Sequence, residues 1–160
     1  MSMRIGKSLL VFGMGLFIAL AAFNNAMGPN GPYGAVSTTV GMATTFNDPG
    51  VMWRAIESPL VIWAGVIGII LTEATAGFFC LFGAYQMWSA RSSAETFNQS
   101  KSNALIGLTI IAAFYLIGFH AVCNEWFMMW QDRESQTLQE AFRNFASAML
   151  IMIWVNTQDH

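Results

Sequence analysis

The chain has 160 residues, 55% of them hydrophobic and only 10% charged, with a formal net charge of −2. A soluble domain carries about 25% charged residues, so this composition excludes an ordinary water-facing globule and makes lipid the expected solvent for much of the surface. The small net charge carries no nucleic-acid signature, and the two cysteines, Cys80 and Cys123, lie inside apolar runs rather than in a secreted disulfide framework.

The first apolar segment covers about residues 8–27, "SLLVFGMGLFIALAAFNNAM". Arg4 and Lys7 ahead of it resemble the charged region of a signal peptide, but "FNNAMGPNG" offers no convincing A-x-A cleavage site, so an uncleaved spanning helix is expected. A loop at 28–58 follows. Its "GPNGPYG" is turn chemistry, punctuated by Gly and Pro. In "FNDPGVMWRAIESP", Asp48 can cap a helix that begins at Pro49. Met52, Trp53 and Ile56 then form an apolar stripe, which predicts a short amphipathic helix at the membrane interface with Trp53 as its anchor.

The second segment, 59–88, and the third, 104–130, each exceed the roughly 20 apolar residues that a span requires. The polar "SARSSAETFNQSKSN" between them supplies Ser102 or Asn103 as a cap for the third helix. The fourth segment, 141–156, is shorter, but "QTLQEAFRNFASAMLIMIWV" is helix-compatible throughout. The predicted fold is an all-α membrane protein, a single domain over 1–160: a four-transmembrane-helix bundle with a short amphipathic interfacial helix in the first outer loop. Arg4, Lys7, Arg91 and Lys101 fall on the side of the termini, while Arg54, Arg133 and Arg143 fall on the other. This modest excess places both termini in the cytoplasm.

Glu73 is the most unusual residue, because an ionisable group at membrane depth costs at least ~2.5 kcal/mol and ordinarily faces a bundle interior or a cavity with a partner. It is either a proton-relay or ligand group, or a protonated carboxyl that hydrogen-bonds between helices. His120 is the candidate partner. At about 1.5 Å rise per residue it sits roughly 5 Å outward of the centre of the third helix, within reach of Glu73 if the second and third helices form an antiparallel hairpin. Such a pair can shuttle a proton or simply pin two helices.

His120 and Cys123 share a helical face, as do Glu73 and Cys80. The two cysteines nevertheless differ in depth by roughly 20 Å, too far for a disulfide or for one metal to collect all four. Haem needs axial ligands, and His120 is the single buried histidine; methionine in an apolar helix is far more often packing. No metal and no cofactor are expected. At the outer boundary, Trp126 and Trp130 join Trp53 as interfacial anchors. Glu125 is positioned to pair with Arg143, with Arg54 and Arg133 as competing partners. Glycines recur in the first three helices at 13, 15, 65, 68, 77, 83, 107 and 118, as suits closely packed membrane helices. Phosphate-loop, H-E-x-x-H and G-x-S-x-G signatures are absent, so no enzyme activity is expected.

"FNN" at 23–25, "MATTF" at 42–46, "WRAI" at 53–56, Glu73, "NEWFMMWQ" at 124–131, "AFR" at 141–143 and the trailing "NTQD" together resemble the bacterial predicted small integral membrane proteins of domain of unknown function 2165. The resemblance runs along nearly the whole chain. It implies four transmembrane helices and no established activity. The first loop departs from the family pattern, with "NAMGPNGPYGAV" where an Asp/Asn-rich stretch is usual. The function expected is that of a non-catalytic accessory or structural subunit packed against a larger bacterial inner-membrane complex, respiratory or otherwise energy-transducing. The alternative is a small proton-coupled transporter or channel built on Glu73 and His120. The expected partners are the lipid bilayer and that larger complex, with no nucleic acid.

Overall fold

The computed structural model describes residues 2–132 and 136–160, and among these the chain is helical with no strand. Helix α1 covers Ser2–Met27, α2 Asn30–Val40, α3 Pro59–Ser89, α4 Ala94–Gln99, α5 Ser102–Ala113 and α6 Thr137–Asn156. A π-helical stretch, Phe114–Trp126, continues α5 without a break. Among the described residues, three stretches are long and apolar enough to cross a membrane: Met3–Met27 (25 residues), Pro59–Ser89 (31) and Ala94–Trp126 (33). In lipid every backbone N–H and C=O must be satisfied within its own segment, and helices achieve this. Ser58 and Pro59 start α3 with proline in the first turn, where its missing N–H does no harm.

Helix α3 lies between α1 and α5, and the glycines set how closely the three approach. A Cβ on Gly15 of α1 would come 2.8 Å from the Cys80 Cβ, and one on Gly77 of α3 would come 3.0 Å from the Ala19 backbone. On the other face, a Cβ on Gly107 would lie 2.6 Å from the Cys80 Sγ, and one on Gly83 would run into the Ala104 backbone nitrogen. Cys80 is therefore wedged between two backbones and fully buried, as a small apolar residue. Gly13 and Gly68 face open space. Around these crossings Val11, Ile18, Met87, Leu108 and Ile111 fill the core, and Ala148 and Val155 of α6 close it.

Helix α6 packs on α5, on the π-helical stretch and on the start of α1. After α6, Thr157 and Asp159 meet Lys7, so both ends of the described chain lie at the same end of the bundle.

The first loop differs from the sequence expectation. Its helix is α2, at the "NGPYG" read as turns, while the helix expected from Pro49 is a single 3-10 turn, Met52–Arg54. Packing explains the first half. The Tyr33 ring lies 4.8 Å from Trp63 of α3, Val36 covers Gly65, and Pro32 falls in the first turn, where it is tolerated. Local bonding explains the second. The Asp48 Oδ1 accepts from Gly50 N at 2.9 Å, and its carbonyl accepts from Val51 and Met52, which winds the chain into a tight turn. Ile56 N then donates to the Val40 carbonyl at 2.8 Å, tying the extended chain to the end of α2.

The third span also departs from a plain α-helix over 104–130. Phe127 N bonds the Val122 carbonyl, five residues back, at 3.1 Å, and Met128 then takes a left-handed φ of 55° and stops the helix. Most π geometry occurs as single-turn bulges, frequently at functional sites; here it covers 13 residues.

Candidate functional site

Polar side chains gather at three depths. The first is intramembrane. Glu73, 6% exposed, lies ten residues from Trp63 and fifteen from Trp88 along α3, about 15 and 22 Å at helical rise. Its Oε2 accepts from the Asn25 Nδ2 of α1 at 2.9 Å. Its hydrogen-bond partner is thus the asparagine that ends "FNN", not His120. The His120 ring stands edge-on to Phe142 of α6, with centroids 6.2 Å apart, and its buried Nε2 has no hydrogen-bond partner among the described residues. The π stretch explains the difference, because more residues per turn rotate the positions beyond Phe114 away from where an α-helix would point them. Buried Tyr115, one residue into that stretch, stands within electrostatic range of Glu73. The same rewinding removes the α-helical face shared by His120 and Cys123.

The second group is at the end of the bundle opposite the Lys7–Asp159 contact. Trp53, Trp126 and Trp130, the expected interfacial anchors, are 70%, 47% and 51% exposed. Trp53 and Trp126 meet edge to face at 5.9 Å, and Trp130 meets Phe46 in the same way at 6.1 Å. The Arg54 guanidinium lies 4.7 Å from the Trp126 ring and 5.6 Å from Trp53, and donates to the Trp126 carbonyl at 3.3 Å. Among the described residues Arg54 thus uses ring faces rather than a carboxylate. The expected Glu125–Arg143 pair does not form. Glu125 accepts from the adjacent Asn124 at 2.7 Å, and Arg143 lies 3.6 Å from Glu140, one turn earlier on its own helix. Both partners of the Glu140 pair are well exposed, and a neighbour fixed by helical spacing needs no interhelical alignment. Arg133, the other competing partner, lies outside the described residues.

The third group, at the end of the bundle that holds the termini, was not legible as a site. The Asp159 Oδ2 receives the Lys7 Nζ at 2.6 Å and the Lys101 Nζ at 2.7 Å. Lys7 is 1% exposed and Lys101 5%. Lys7 also donates to the Thr157 carbonyl and hydroxyl, both at 2.9 Å, and Lys101 donates to the Thr157 carbonyl and the Asn98 Oδ1, both at 2.7 Å. Asn98 closes the ring by donating to the Asp159 carbonyl at 2.9 Å and accepting from its N–H at 3.1 Å. One carboxylate thereby clamps α1, the α4–α5 corner and the segment after α6. Burial alone would raise the Asp159 carboxyl, but hydrogen bonds and positive charge from Lys101 and Lys7 outweigh it and hold it below the ordinary carboxylate value. In the sequence the two lysines served only to count charge for orientation. The available signal was an aspartate three residues beyond a helix that returns to their level.

Among the described residues no group of three His, Cys, Asp or Glu side chains is arranged to hold a metal. Over residues 3–158 the chain matches the model of a family described as predicted small integral membrane protein, domain of unknown function 2165, and it belongs to that family. No curated protein and no solved structure matches it.

Proposed function

We propose, with membership of that family as the premise, that the chain is a non-catalytic four-span protein that acts as an accessory subunit of a larger complex in the bacterial inner membrane. The observation that carries this reading is the aromatic outer face of α3 beside α1. Phe78 and Phe82 stack with planes 9° apart and centroids 5.8 Å apart, and both are exposed, as are Phe12 and Phe17 of α1. In lipid, helices associate through close van der Waals packing rather than through the hydrophobic effect, and a pre-stacked pair of rings is a rigid surface for it. The polar groups support the same reading. Glu73 bonds Asn25, and Asp159 joins Lys7 and Lys101, so these side chains hold the bundle together.

In this proposal α6 is the fourth span and both termini are cytoplasmic. Arg4, Lys7, Arg91 and Lys101 share the end at which the chain begins and finishes, opposite Arg54 and Arg143, which is the distribution the positive-inside rule favours. Gentle detergent extraction from the native membrane tests the subunit role. The expected result is migration with a much larger assembly, and loss of that migration in Phe78→Ala/Phe82→Ala. Recovery only as a monomer or homo-oligomer would refute it.

A further inference from the structure

We infer that the groove between α1 and α3 at the terminus-bearing end is a binding site for one anionic phospholipid, its acyl chain against the apolar walls and its phosphate on Arg91 and Arg4. The groove encloses about 520 Å³ and is walled by Leu9 and Phe12 of α1 and by Leu81, Ala84, Tyr85 and Trp88 of α3. Ala84 forms its floor at 3% exposure, while Leu9, Phe12, Tyr85 and Trp88 stand exposed along its sides. It runs along two helices that cross the membrane, so its mouth opens to acyl chains.

The headgroup end is set by charge. The Arg91 guanidinium lies over the Trp88 ring at 4.6 Å and donates to the neutral Trp88 carbonyl at 2.7 Å. Trp88 therefore joins the cation directly to the groove wall. Arg4 donates to the Arg91 carbonyl at 3.0 Å and to the His160 carbonyl at 2.8 Å, and its own carbonyl accepts from Ser8, another groove residue. Neither arginine is within ion-pair distance of a carboxylate side chain among the described residues. Lys7 and Lys101 are engaged with Asp159 and are not the anchors. This end carries Arg4, Lys7, Arg91 and Lys101 against Asp159 and Glu95, an excess of positive charge at the depth where phosphate groups lie. A guanidinium matches phosphate geometry and is weakly hydrated, which suits it to an interfacial phosphate.

The test is a lipid titration of the purified full chain, read by native mass spectrometry, with phosphatidylglycerol against phosphatidylcholine of the same acyl chains. The wild type should hold one phosphatidylglycerol in preference to phosphatidylcholine, and Arg91→Gln and Arg4→Gln should each lower that preference about fivefold. Leu9→Trp and Ala84→Phe, which fill the groove from its rim and its floor, should weaken both lipids. Circular dichroism identifies variants that retain the fold, and Leu9 at the exposed rim keeps the test open if Ala84→Phe does not. Equal retention of the two lipids by the wild type would overturn the proposal, as would a preference that survives the double arginine variant. Displacement of the bound lipid by inorganic phosphate with no effect of groove filling would also overturn it, by removing the acyl chain from the site.

Discussion

Replacing Asp159 with asparagine would leave two buried lysines facing each other. Lys7 and Lys101 are 1% and 5% exposed, and their Nζ atoms reach the same carboxylate oxygen at 2.6 and 2.7 Å. Asparagine keeps the size and one acceptor oxygen, so Asp159→Asn removes the charge with little change in packing. Breaking a buried ion pair by removing one partner costs about 3–5 kcal/mol. The cluster lies at the end of the bundle, near water, and the lysines keep the Thr157 and Asn98 oxygens, so the lower bound of about 3 kcal/mol applies. For a chain of this size each kcal/mol shifts the melting temperature by about 2–4 °C, which gives a fall of about 6–12 °C.

The assay is thermal unfolding in mild detergent followed by circular dichroism, with Asp159→Asn, Lys7→Met and the double variant forming a cycle. The double variant should recover part of the loss, because it removes one of the two repelling charges. The pH dependence has a defined sign. The folded Asp159 carboxyl is held below its unfolded value of about 3.9, so its contribution is fully present above about pH 4 and disappears as the pH falls through the lower, folded value. A melting temperature for Asp159→Asn within a degree of the wild type, with the wild-type acid profile retained, would refute the account of the clamp.

Two further predictions follow from the packing within the membrane. Gly83→Ala should destabilise the bundle by about 1–3 kcal/mol through overpacking, since its new Cβ meets the Ala104 backbone, whereas Gly68→Ala faces open space and should be neutral; the same melting assay separates them. Asn25→Ala should cost about 1–3 kcal/mol by leaving the Glu73 carboxyl without its donor, while Glu73→Gln, which keeps an acceptor for Asn25, should melt close to the wild type.

The parts of the fold that followed from the sequence were those set by long, uniform physics. Runs such as "SLLVFGMGLFIALAAF" specify helices because lipid leaves the backbone no other partner, and the starts of α3 and α5 fall within two residues of the expected boundaries. The glycines also conveyed close approach, although only contacts distinguish Gly83 at a crossing from Gly68 in open space. Polar pairing was less legible because it depends on register. Glu73 was recognisable as needing a partner, but choosing between Asn25 and His120 requires the depth of α1 against α3 and the π winding after Phe114. Glu125 and Arg143 share a level in a helical projection, yet each bonds a sequence neighbour.

The case for a fourth span rests on why α6 is the least apolar of the four long helices. Its fully buried residues are Ala141, Ala148 and Val155, spaced by sevens, and Phe145, Met149, Ile151 and Met152 pack partly buried against the core beside them. Its outward residues Phe142, Leu150 and Ile153 are 57%, 69% and 60% exposed, which leaves bulky apolar groups where lipid would stand. Asn144 lies near Tyr115, and Glu140 and Arg143 pair in the first two turns. Polarity therefore falls at one end and on the inner side, and lowers the average without marking the outward face. A helix of 20 residues is about 30 Å long, the thickness of the hydrocarbon core, and its far end delivers Thr157 and Asp159 to Lys7. In the proposed four-span arrangement, the clamp closes by the return of the chain to the side on which it began.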